Sequence, residues 1–493
     1  MLSFIVVAST LGQAHAYDQP VHEYLSRRAF AGPKAFGDSP ANAQAAVELL
    51  RLRIYRAGAE TPSLKDRFLR RFPTVKDFDE AAFKRFFFLN PQKQVAGFDS
   101  TPLPVGTPLE VYTLASRLPD DDTRNRDRVR SGADGGRSVD PYGQPIPEDP
   151  AILDMGKATG TSSQAHAHYQ LPPLQFSDSP DVLKSEPRRF ATPPDIHTFG
   201  TELAESYAAL SLLAAQLPHG TRLSMVHAGA TAHHLEDVAN QIHTVQVGIY
   251  DFFFDAKLAS ILEELRSVGG LRRPRPDFIS IGIQIISNHH LLVEALFRKH
   301  LLAEGDPVAA LAATRQTDAP FVTELSGAPR GCSEPFTRAL MTSLVELSSH
   351  EGPAVYTAIR SVALPKLSRA GGRFEETEDP DLFLRPNADL TEFYALELRG
   401  TGRAEIALGA WWDRYNACQK LTPSVERAVA EQLVRRRLDS MDALDVRAKA
   451  YVPKPPLVLQ TNWWVPGGYG GAVVFFALLM TRRRRKKAAA AKK

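Results

Sequence analysis

Cysteine is nearly absent from this chain of 493 residues, which has only Cys332 and Cys418. Two thiols can form at most one disulfide in an exported protein, and their spacing alone does not establish it. Neither lies near the histidine-rich segments described below, so a zinc–thiolate site is not expected. Alternating apolar and polar strand patterns are scarce, which argues against a β-sandwich or barrel. No internal repeat is evident, which removes solenoids and propellers. A basic surface is missing as well. The formal net charge is +3, but the segment from Thr481 to the end has eight Lys or Arg and no acid, so residues 1–480 carry −5. A nucleic-acid-binding face on the body of the protein is therefore not indicated.

What is present is helix-forming sequence long enough to bury a large core. Segments rich in Ala, Leu and Glu run over Glu202–Gln216, Leu223–His243, Phe252–Ser267, Phe278–Leu302, Pro335–Arg360 and Leu390–Cys418. A last one, Pro423–Lys449, has Thr422 as N-cap and Pro423 at the first helical position. The fold class is all-α. Asp120–Pro150, dense in charge, Gly and Pro, reads as a long exposed loop, and Pro172–Pro194 as a second. Residues 306–455 read as a further helical region without recognisable chemistry, and Pro453–Pro456 as a linker.

Chemistry concentrates in Ala232–His243, which reads A-H-H-L-E-D-V-A-N-Q-I-H. His233 and Asp237 stand four apart and so share a helix face, one turn apart. Imidazole and carboxylate at that spacing give a metal two ligands from a rigid frame. His243 follows six residues later, and His290 and Glu294 repeat the pair in N-H-H-L-L-V-E-A-L. One such pair by itself is an ordinary feature of helical proteins. Two pairs with an intervening histidine point to a multi-zinc hydrolase. His227, His234 and His289 fall off this pattern and read as supporting or surface groups.

The ends carry their own signals. Residues 1–16, M-L-S-F-I-V-V-A-S-T-L-G-Q-A-H-A, resemble a secretory signal with an A-x-A cleavage site at Ala14-His15-Ala16. The apolar run Leu2–Leu11 is too short to span a bilayer, and no cation precedes it; an N-terminal helix buried in the fold is the alternative. Cleavage after Ala16 makes Tyr17 the first residue. At the other end, Trp463-Trp464, a Pro-Gly-Gly turn, the apolar run Gly471–Met480 and the block Arg482–Lys487 form a membrane-anchor or sorting-type tail over residues 456–493.

With these motifs placed, residues 17–305 resemble the zinc-dependent phospholipase C family and, more distantly, the fungal single-strand-specific zinc nucleases. The family's H-x-x-x-D and the histidine six residues on are met by His233, Asp237 and His243, and its later H-x-x-x-E by His290 and Glu294. The resemblance implies a helical domain holding up to three zinc ions, with the mature N-terminus as a ligand. Its α-amine titrates near 8 and can yield its proton to a metal. It further implies Tyr17 and His22 on one ion, with Tyr17 replacing the family's usual Trp. Asp120, His168, His233 and Asp237 hold another, and His243, His290 and Glu294 the third, with Asp237 bridging two. Asp121 and Asp154 compete with Asp120, and His166 with His168, because the charged loop interrupts the match. The activity implied is phosphodiester hydrolysis by zinc-activated water, with Asp120 accepting its proton and Asp237 as the second catalytic carboxylate. Glu294 leans towards phospholipases and the short Tyr17–His22 spacing towards nucleases. The membrane tail and the non-basic body favour a phospholipid substrate at the cell surface or in the periplasm, with no specific nucleic-acid partner.

Overall fold

The computed structural model describes residues 19–37, 39–87, 105–117, 119, 199–244, 278–303, 331–333, 335–368, 374 and 378–450. Of the interpretable residues 79% are helical and none forms a strand, which makes the fold all-α. A single antiparallel bridge joins Ala363 to Leu384 among the described residues. The proposed signal and anchor segments, the loops Asp120–Pro150 and Pro172–Pro194, the expected helix Phe252–Ser267, and Tyr17, Asp120 and His168 lie outside the described residues. Within them, no helix is long and apolar enough to cross a membrane.

Eleven described helices are numbered in chain order. They are α1 Gln19–Ala29, α2 Pro40–Glu60, α3 Pro62–Arg71, α4 Glu80–Phe87, α5 Pro108–Arg117 and α6 Gly200–Ala215. After them come α7 Thr221–Ala239, α8 Phe278–Ala303, α9 Phe336–Val362, α10 Thr391–Ala417 and α11 Pro423–Ala450. The helices before residue 118 were not anticipated from sequence. Several are short (α3 has 10 residues and α4 has 8), and helices of that length owe their stability to packing rather than to propensity. Local signals still set their ends. Ser39 caps α2 through Asn42, and Pro40 and Pro62 sit at the first turns of α2 and α3.

α7 is the centre of the molecule. All its residues from Arg222 to Ala239 are buried, as expected of a helix walled in on every side. α6 runs back along it after a tight turn, tied by Ser211 Oγ to the Ser224 carbonyl at 2.9 Å, while the Ser224 hydroxyl meets Tyr415 of α10 at 2.7 Å. α5 presses so close that a Cβ on Gly229 would stand 2.3 Å from the Tyr112 carbonyl oxygen and 2.6 Å from Ala115 Cβ. Glycine is required there by contact distance, not by backbone angle. Phe30, just past α1, Tyr112 and Trp412 pack ring against ring, with centroids 5.1–5.2 Å apart, joining the end of α1 to α5 and α10.

The later helices belong to the same body. α11 lies along α2 and α3, held by Arg67 to Asp439 and Asp442, Arg71 to Asp442 and Asp445, and Arg53 to Glu426. These pairs are largely exposed and worth little each, so they align the helix more than they stabilise it. The expected cap of α11 is present, with Thr422 Oγ1 3.4 Å from the Val425 amide. A disulfide joins Cys332 to Cys418 across 86 residues, tying the segment before α9 to the end of α10.

One expectation is corrected. Leu223–His243 is not a single helix: α7 stops at Ala239, and His243 lies on a separate 3-10 turn, Gln241–His243. Asn240 is extended (φ −75°, ψ 123°), and its side chain accepts from the Ile242 amide at 3.2 Å, capping the new turn.

Candidate metal centre

Helix periodicity brings the first ligands together. His233 and Asp237, one turn apart on α7, place Nε2 3.2 Å from Oδ2. α1 delivers His22 to the same carboxylate from the other side, Nε2 3.5 Å from Asp237 Oδ1. His22 and His233 stack with ring centroids 4.2 Å apart. All three side chains are fully buried.

The second cluster forms where the 3-10 turn meets α8. His243 Nε2 lies 3.2 Å from His290 Nε2, which is 2.8 Å from Glu294 Oε1. Asn288 anchors this stretch of α8 by bonding the Leu367 carbonyl at 3.2 Å and accepting from the Phe374 amide at 3.0 Å. The turn carrying His243 is clamped from outside. Gln241 Nε2 donates to the Leu396 carbonyl of α10 at 2.7 Å and to Glu351 of α9 at 3.1 Å, and Ser348 Oγ donates to the Ala239 carbonyl at 3.1 Å. Arg403 in turn holds Glu351 at 2.8 Å. Helices from the stretch that showed no chemistry in sequence thus set the position of a candidate ligand.

Proton bookkeeping shows what these clusters require. His233 Nδ1 is 2.8 Å from the Ser116 carbonyl oxygen, which can only accept, so Nδ1 carries the hydrogen. In the neutral ring Nε2 is then a bare lone pair aimed at a carboxylate. His22 is arranged likewise, with Nδ1 2.6 Å from Glu236 Oε2 and Nε2 towards Asp237. Protonating both rings would set two imidazolium ions face to face at 4.2 Å. A metal cation between the nitrogens and the carboxylate meets the same need without that repulsion. In the other cluster one proton cannot serve two facing ring nitrogens and a carboxylate together, whereas one cation can.

The spacing fits zinc. Ligand bonds of about 2.05 Å at a tetrahedral angle put neighbouring donor atoms roughly 3.3 Å apart. The close donor pairs here are 2.8 to 3.5 Å apart, and within each group of three the ligand atoms lie within 4.8 Å of one another. Two groups of three, His22–His233–Asp237 and His243–His290–Glu294, are so placed that each could hold a metal ion. Buried His and carboxylate groups of this kind are compatible with zinc.

Of the ligands expected from sequence, the structure therefore gathers His22, His233, Asp237, His243, His290 and Glu294. Of the two settings expected for His227, His234 and His289, supporting or surface, the structure shows none at the surface: all three are buried. His234 Nδ1 approaches Asp237 Oδ2 to 3.7 Å, and its ring stacks on Tyr207. Burial pushes the His227 imidazole down to about 3, favouring its neutral form. Sequence reasoning missed Glu236 altogether, although it adjoins a ligand. The available signal was His22 and Ser26 at i, i+4 on α1, two polar groups facing the core where a partner was needed.

Compared with protein-family models, curated proteins and solved structures, the chain matches none of them.

Proposed function

We propose that this protein is an exported zinc-dependent phosphodiester hydrolase, resembling phospholipase C and acting on glycerophospholipids. One observation carries the reading: two buried three-ligand clusters, in the first of which both rings are aimed at a carboxylate by hydrogen bonds on their far sides. Further support comes from position. Ser116, which touches His233, lies four residues before Asp120, and His22 lies five residues after Tyr17, so two of the three ligands outside the described residues are close in chain to the centre. Asp237 faces His22 with one oxygen and His233 with the other, so one carboxylate would serve the ligands of both α1 and α7.

In this reading His22 and Tyr17 hold one ion, His233, Asp237, Asp120 and His168 a second, and His243, His290 and Glu294 a third. Bound zinc supplies Lewis acidity to a phosphodiester and makes water acidic enough to ionise near neutral pH. The chain's own groups do the rest. Glu236 and the Ser116 carbonyl orient the rings, the surrounding apolar residues of α1, α7 and α8 keep the ligands dry, and Asp120 accepts the proton of the attacking water. The disulfide supports an oxidising compartment, and the tail after residue 456 provides membrane attachment.

A nuclease is the second reading, favoured by the short spacing between Tyr17 and His22. The test is hydrolysis by the zinc-loaded full chain of phosphatidylcholine vesicles against single-stranded DNA, with metal content measured beside it. Zinc-dependent release of phosphocholine is expected. Cleavage of DNA alone would replace the lipid reading with the nuclease one. Fewer than two bound zinc ions, and no turnover after zinc addition, would overturn both.

A further inference from the structure

Glu236 is fully buried beside the first cluster and meets it through the far side of the His22 ring. Oε2 lies 2.6 Å from His22 Nδ1, and Oε1 accepts from Ser26 Oγ at 2.8 Å. His22 and Ser26 share one face of α1, so a single carboxylate from α7 fits between them. We propose that Glu236 is a positioning residue for the metal at His22: it fixes the ring with Nδ1 protonated and Nε2 presented, and adds a negative charge behind it.

The proposal rests on the metal-centre reading above and deepens it. The two stacked histidines are held by different acceptors, an anion for His22 and the neutral Ser116 carbonyl for His233. A carboxylate acceptor gives the stronger, charge-assisted bond and raises the donor strength of the opposite nitrogen. Glu236 thus adds a second negative charge beside Asp237 on the His22 side, whereas Glu294 is the one carboxylate in the other group of three.

The experiment uses the full chain stripped with chelator and titrated with zinc, in wild type, Glu236→Gln, Glu236→Ala and Ser26→Ala. Removing such a second-layer partner lowers metal affinity about 10–100-fold. Glu236→Ala is expected to weaken one zinc by that factor and leave a second unchanged. Glu236→Gln retains an acceptor for Nδ1 without the charge, and should recover part of the loss. Ser26→Ala, which leaves the bond to His22 in place, should change little. In the metal-free protein, ring ¹⁵N shifts should show His22 protonated on Nδ1 in wild type and Glu236→Gln, and exchanging tautomers in Glu236→Ala. Wild type that binds no zinc overturns the metal reading itself. Wild type that binds zinc while Glu236→Gln and Glu236→Ala match its affinities overturns the role of Glu236 alone. Should the alanine variant not fold, an unchanged affinity in Glu236→Gln is sufficient to do so.

Discussion

His233 and Ser116 are joined by a bond of 2.8 Å between ring Nδ1 and a backbone carbonyl, and that bond depends on a residue one turn earlier. Gly229 shares the face of His233 on α7 and lets α5 come close enough for its carbonyl to reach the ring. Packing distance, ring tautomer and ligand direction are thus a single chain of causes.

Gly229→Ala should break that chain. The added methyl would meet the Tyr112 carbonyl, which is backbone and can yield only if α5 moves. Overpacking of this kind costs about 1–3 kcal/mol. The informative quantity is the difference in melting temperature with and without zinc. It should shrink in the variant, because the displaced Ser116 carbonyl no longer holds His233. A variant with a lower melting temperature but the same zinc-induced rise would show that α5 does not orient the ligand.

Gln241→Ala should separate the clusters. Gln241 secures the 3-10 turn to α10 and α9 by two hydrogen bonds, and His243 is two residues on. Losing them removes two hydrogen bonds, each worth about 0.5–1.5 kcal/mol. Zinc at His243–His290–Glu294 should bind more weakly, while zinc bound around Asp237 keeps its affinity. Equal weakening at both clusters in a metal titration would contradict separate support.

The ligands within one helix were legible because helix geometry alone decides them: His233 with Asp237, and His290 with Glu294. His243 was legible as a ligand but not in its setting. The helical pattern continues through Asn240, and nothing local announces the clamp from Glu351, Leu396 and Ser348, which are contributed by residues more than 100 positions away. His22 was reached through its distance from a cleavage site, not through any pattern of its own. Glu236 stayed hidden because its carboxylate serves another helix, and a contact 214 residues apart leaves no spacing to read. The all-α class was legible from composition. The short helices α3 and α4 were not, since their stability comes from aromatic packing such as Phe68 against Phe78 and Phe83.

The Cys332–Cys418 bond closes a loop of 86 residues containing α9 and α10, the helices that clamp the 3-10 turn. Restricting an unfolded loop of that length is worth roughly 4 kcal/mol on the chain-entropy account. Cys418→Ser, or reductant on wild type, should therefore lower the melting temperature by several degrees. Zinc content at room temperature should stay at the wild-type level, because the thiols are not ligands. Loss of zinc on reduction, with the fold intact by circular dichroism, would assign the disulfide a role in the centre.

Glu397 should make stability fall as pH rises. It is fully buried on α10, neither carboxyl oxygen has a hydrogen-bond partner among the described residues, and burial, followed by the charge of Glu351, pushes it up to about 8. Glu351 itself is occupied by Arg403 and Gln241, so Arg403 neutralises that neighbour rather than Glu397. An acid whose pKa is higher folded than unfolded is protonated in the fold where it would ionise in the open chain. Its contribution is complete below about 4.5, and is lost as pH rises to about 8. Glu397→Gln keeps the shape and removes the proton. The melting temperatures of the two zinc-loaded proteins should differ increasingly in favour of the variant from pH 5.5 to pH 8.5. Comparing them at each pH cancels the titration of the metal ligands, which both share. A difference that stays constant over that range would mean Glu397 is ionised throughout, held by a cation that its surroundings do not show.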